Sequence, residues 1–195
     1  KMYDIPEGKR ATKGKSIMNF LSLSENEKVT SILPMPKNKK EAEGLALLMV
    51  TKDGTGKKSS AKHFHDVRRS GLIAITLDDK DELMSAQFVG KSDDIVIATK
   101  DGQSIRFKES DIREMGRNAA GVRVIKLGKG DEVISADVVS KDAKNPALFV
   151  MGSNGYGKKT KLDEYKVQNR GGSGILTMNV TDKTGPLMSA KVVTD

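Results

Sequence analysis

The sequence predicts an all-β chain, a propeller-like array of four-stranded blades, and three observations lead there. The first is repetition: both flanks of residues 94–139 read as copies or partial copies of that stretch. Gly54, Gly102 and Gly155 sit in equivalent turns, Gly14, Gly71, Gly121 and Gly174 precede equivalent runs, and Ser31, Ser85, Ser135 and Ser189 close the copies. Each series has a period of about 50 residues, which suits a propeller-like array. The second is alternation. Beyond Gly71, Gly121 and Gly174, the apolar pairs Ile75 and Leu77, Ile125 and Leu127, and Met178 and Val180 bracket Thr76, Lys126 and Asn179. A period of two at matching places in three copies belongs to strands, and these apolar residues are expected to build the core. The third is the turn dipeptide Asp101-Gly102 between two extended segments, a hairpin signal.

In chain order, residues 1–36 read as a unit without its first hairpin, with an extended entry at 2–5, a run at 17–23 and a closing strand at 29–35. Pro34-Met35-Pro36 and the Lys/Glu-rich run 37–43 form a solvated linker. Complete units follow at 45–89, 94–139 and 147–193, joined by KSDD and SKDAKNP. The middle unit has strands at 95–98, 103–108, 122–127 and 132–139. The chain is thus one incomplete array, three blades plus a partial one, in which stacked neighbours supply the core and both end blades are left with open edges. Lys1 stands where no initiator Met leads, as expected of a trimmed chain.

Composition excludes several classes of function. With no Cys there is no disulfide framework and no thiolate metal or redox site. No apolar stretch approaches membrane-spanning length and KMYDIPEGKR has no signal-peptide core, so a soluble, cytoplasmic protein is expected. Lys and Arg number 34 against 26 acidic residues, a net charge of +8 that points to a polyanionic partner.

The cations recur by position. Lys58, Arg106 and Lys159 each stand four residues after a hairpin glycine; Lys57 and Lys158 precede two of them, and Lys108 and Lys161 follow two of them. A second set, Arg10, Arg117 and Arg170, stands four residues before a glycine, and Arg68 and Arg69 replace it in the first complete unit. Any single Lys is explained by solvation of a loop. Recurrence at fixed offsets predicts a basic stripe around the rim that meets phosphate. Only 4% of residues are aromatic, so base stacking on single strands is disfavoured and duplex backbone contact, largely sequence-tolerant, is expected.

Other signals read as structural. Gly152 to Thr160 approaches a phosphate-binding loop, but Lys159 occupies the Ser/Thr position and the turn joins two strands rather than a strand and a helix. His63 and His65 lack the company of further ligands, and Tyr3, Tyr156 and Tyr165 have no recurring base. No cofactor, metal or catalytic residue is expected.

The segments IRFKESDIREMGRNAAGVRVIKLGKGDEV, ATKGKSIMNFLSL and GSNGYGKKTKLDEY resemble, in order, the C-terminal domain of the bacterial DNA gyrase A protein, and the resemblance extends over the whole chain. It implies a β-pinwheel whose neighbouring blades exchange strands and whose basic perimeter wraps duplex DNA to support ATP-dependent negative supercoiling. It further implies that the catalytic tyrosine lies elsewhere in the gyrase A protein, and the ATPase in the gyrase B protein, of an A2B2 assembly. The family's QRRGGKG-like wrapping box has only a partial likeness here, QNRGGSG at 168–174. The family's full domain has more blades than the repeats of this chain provide. Two other readings are the related domain of topoisomerase IV and a propeller used for protein interaction.

Overall fold

The computed structural model describes residues 6–21, 23, 27–36, 40–65, 67 and 71–194. Their regular structure is eleven strands and short 3-10 turns, arranged as antiparallel sheets. Strands β1 (Leu45–Thr51), β2 (Thr55–Ser60) and β3 (Leu83–Gly90) form the first sheet, joined at its far edge by β6 (Val122–Arg123). The second sheet runs β7 (Val133–Val139), β4 (Asp94–Thr99), β5 (Gln103–Lys108), β10 (Ile175–Leu176). The third runs β11 (Leu187–Val193), β8 (Ala147–Gly152), β9 (Gly157–Lys161).

The hairpins follow from local chemistry. Gly54 and Gly102 adopt φ of +81° and +86°, the left-handed region that Asp-Gly turns supply at little cost. Thr51 and Thr99 Oγ1 accept the amides of Thr55 and Gln103 across the turns, at 3.1 and 3.3 Å. The third segment of a repeat behaves differently: β6 pairs with β2, and β10 with β5, so each completes the sheet of the preceding unit. Gly121 makes this approach possible. Its φ is +116°, and a Cβ there would lie 2.6 Å from the Gly56 carbonyl oxygen.

Two apolar clusters lie between the sheets. Leu48 and Val50 of β1 pack with Ile95 and Ile97 of β4, Phe107 and Ile112; one step on, Val96 and Ala98 of β4 pack with Leu148 and Val150 of β8, Leu162 and Tyr165. Alternate residues of β4 therefore serve different interfaces, which is why the whole strand is buried. Each such Leu, Ile or Val contributes about 1.5–3 kcal/mol of burial.

The inner strands β3, β7 and β11 touch in succession, and here the repeating serines find their use. Ser85 Oγ donates to the Ala136 carbonyl at 3.1 Å and Ser135 Oγ to that of Ala190 at 2.7 Å. Gln87 Nε2 reaches Ala136 O and Asp137 Oδ1, while Lys191 Nζ and the Val192 amide close on the same buried carboxylate at 2.6 and 2.7 Å.

The structure corrects the strand expectations in three places. The third strands are two residues long instead of filling 122–127; beyond them Ile125 and Met178 are buried as expected, in irregular backbone tied by Val124 N to Gly54 O and Lys126 N to Gly172 O, both 2.9 Å. Residues 71–77 make no strand, Ile75 is half-buried and Leu77 exposed, because no preceding second strand among the described residues offers an edge. Residues 29–35, expected as a closing strand, make none for the same lack of a hairpin; a bond from the Ala86 amide to Ser31 Oγ, 3.3 Å, ties them to β3. The entry at 2–5 lies outside the described residues.

Candidate nucleic-acid interface

In each sheet the order from hub to rim places the second strand and the connection that borders it farthest from the serine cross-links. These are the segments that carry the recurring cations. The structure divides the cations into two groups.

The first group is turned inward. Lys57 is fully buried, and its amine donates to Ala74 O at 2.7 Å and to Arg117 O. Burial first, and then the nearby Arg117 charge, holds its pKa below the usual 10.5. Lys58, also buried, donates to Glu109 O at 2.9 Å and pairs with the Glu109 carboxylate, whose other oxygen accepts the Ser92 amide. Arg106 spends its guanidinium on Asp94, with Nε to Oδ2 at 2.8 Å, and on the carbonyls of Leu162 and Tyr165. Arg170 donates from Nε to Asp111 O at 2.7 Å and from Nη1 to Arg123 O at 2.9 Å. Lys58 and Arg106 thus make one contact in common: each reaches the first carbonyl of the 3-10 turn in the following unit, at Glu109 and at Leu162. The recurrence four residues after the hairpin glycine has a packing cause, and the expected stripe is corrected at Lys57, Lys58, Arg106 and Arg170. A buried lysine or arginine stays charged only where acceptors replace its water, and the next unit's turn supplies them.

The second group faces solvent. Arg10, Lys108, Arg117, Lys158, Lys159 and Lys161 are exposed, Lys108 while holding Asp94 Oδ1 at 2.8 Å. Arg68 and Arg69 lie outside the described residues. Sequence reasoning passed over Arg113 and Arg123, both exposed on the segment that borders β2. Arg123 could have been found by continuing the alternation outward from Gly121.

Carboxylates also link units. Glu132 lies between Lys52 and Lys100, 3.2 Å from each, and hydrogen bonds to these lysines hold its pKa below the usual 4.5. Glu132 in turn raises the pKa of Lys52. Tyr165 is buried in the second cluster, and Tyr156 is exposed with Lys183 Nζ 5.0 Å from its ring centre. Among the described residues no group of three or more His, Asp or Glu could hold a metal ion, and no helix is long and apolar enough to cross a membrane.

A family model described as the DNA gyrase C-terminal domain, beta-propeller, matches residues 1–34, 46–89, 93–140 and 147–194. Over all 195 residues the chain is 41% identical to the DNA gyrase A protein of Lawsonia intracellularis and 37% identical to that of Escherichia coli K12; over 194 residues it is 38% identical to that of Staphylococcus aureus. It spans 23%, 22% and 22% of the length of these relatives. A solved DNA gyrase A C-terminal domain matches with a TM-score of 0.79 and 26% identity, covering 94% of this chain and 59% of that one. The C-terminal domain of a DNA topoisomerase IV matches with a TM-score of 0.81 at 24% identity, covering 93% and 55%, a likeness of fold.

Proposed function

Because the chain belongs to the DNA gyrase C-terminal domain family, we propose that it binds duplex DNA along its outer rim and, within a gyrase A protein, wraps that duplex in support of negative supercoiling. The observation that carries the reading is the set of exposed cations on the outermost segments, Arg117 and Arg123 above all, in a chain of net charge +8. Arg10, Lys108 and Lys161 join them as proposed contacts, and Arg113 is added to the set. Arginine can meet two phosphate oxygens at once, so contacts of this kind hold a duplex without reading its bases. Strand cleavage belongs, in this reading, to the rest of the gyrase A protein and ATP hydrolysis to a gyrase B protein, in the bacterial cytoplasm. The curated relatives favour gyrase over topoisomerase IV.

The test is a titration with duplexes of unrelated sequence over a salt series. Neutralising Arg117 and Arg123 together, R117Q with R123Q, is expected to weaken binding to every duplex alike and to flatten the slope of log K against log salt by about two units, near 0.9 per phosphate released. Unchanged affinity and slope in a folded double variant would overturn the proposed path.

A further inference from the structure

The third sheet has one bare side. Leu148 and Val150 of β8 are buried against the second sheet, whereas Phe149 and Met151, on the opposite face, are exposed together with Met188. Counted from the hairpin glycines, Phe149 corresponds to Leu48 and Val96, and Met151 to Val50 and Ala98. All four counterparts are buried, each pair in the cluster shared with the following unit. This face is therefore, in both other cases, the one that the next unit covers.

The rim edge repeats the pattern. β2 and β5 are each bordered by the following unit in the same way: a parallel bridge at the cation, Lys58 to Glu114 and Arg106 to Val167, then an amide donating to the cation's carbonyl, Met115 to Lys58 and Gln168 to Arg106, both 2.8 Å, and finally a two-residue antiparallel strand. β9 has no strand beyond it among the described residues. Its sequence Gly157-Lys158-Lys159-Thr160 matches Gly56-Lys57-Lys58-Ser59 of β2 almost residue for residue.

We propose that the Phe149 and Met151 face, with the β9 edge, is a docking surface for a further unit of this repeat, which enters through a segment like 109–127 and buries Lys158 as Lys57 is buried. Charge selects the occupant. Lys58 meets the Glu109 carboxylate and stands opposite Glu114, so Lys158, Lys159 and Lys161 call for an incoming segment with carboxylates and free carbonyls, and a second copy of β9 would bring only like charge. The inference stands apart from the DNA reading and removes Lys158 and Lys159 from the cations that would meet phosphate.

The test uses the chain as it stands and a synthetic peptide with the sequence of residues 109–127, ESDIREMGRNAAGVRVIKL. Lysine acylation read by mass spectrometry is expected to slow about tenfold at Lys158 when the peptide occupies about nine sites in ten, with amide exchange of β9 slowing in parallel. Lys80 should label as before and Lys57 should stay protected throughout. A peptide with both glutamates changed to glutamine should bind about tenfold more weakly. Three outcomes overturn the proposal: labelling and exchange indifferent to the peptide, protection of Lys158 by duplex DNA and not by the peptide, or protection that rises with the concentration of the chain alone, which would make a second copy the occupant.

Discussion

Residues 71–77 and 121–127 begin on equivalent glycines, both at positive φ, and carry the same alternation, Ile75 and Leu77 matching Ile125 and Leu127. In the second, Val122–Arg123 pairs with β2 and Ile125 is buried; in the first there is no strand and Leu77 is exposed. Both segments reach forward to the next unit, through Thr76 Oγ1 to Asn118 O at 2.9 Å and Lys126 N to Gly172 O at 2.9 Å. They differ in what lies behind them. Only 121–127 has a second strand of an earlier unit to border. The lesson is one of phase: the repeat as written in the chain and the sheet as built in space are offset by one strand, so a strand signal is realised only where its neighbour supplies the edge.

The glycines test this comparison most severely. Gly121→Val is expected to cost at least about 3 kcal/mol, since valine at φ +116° is strained and its Cβ meets the Gly56 carbonyl. Gly71→Val, also at positive φ but with nothing within 4 Å of the added carbon, should cost about half as much. Denaturant unfolding of the two variants measures the contrast, and equal losses would break it.

A smaller effect is expected at the cation behind the edge. Lys58→Met leaves the Glu109 carboxylate buried without its partner, at a cost of about 3 kcal/mol, whereas Lys159→Met on exposed β9 should stay within about 0.5 kcal/mol. Thermal melts at one ionic strength separate the two. The apolar counterpart is smaller again: Ile125→Ala should cost about 2–3 kcal/mol and half-buried Ile75→Ala about 1 kcal/mol.

The smallest effect belongs to the exposed link between units at Glu132. Its folded pKa lies below 4.5, so its contribution is fully present above that pH and is lost as pH falls through the lowered value. Stability followed from pH 6 to pH 3 should therefore drop less in Glu132→Gln than in the parent, by a margin that shrinks with added salt. Equal acid sensitivity at low salt would show that the lysines add nothing there.

The hairpins, the alternating core and the period were legible in the sequence because each rests on neighbours close in the chain: Asp101-Gly102 makes its turn locally, and Ile95 and Ile97 announce a strand wherever it pairs. The serines were legible as landmarks only; their bonds to Ala136 and Ala190 join residues more than fifty positions apart. The cations were legible as a recurrence, and the sequence by itself could not say which way they point. That was decided by the tertiary structure, because a lysine is buried only where another segment brings acceptors to replace water. Gly-Lys-Lys in β2 receives Glu109 O, Ala74 O and Arg117 O and turns inward; in β9 the same three residues face solvent.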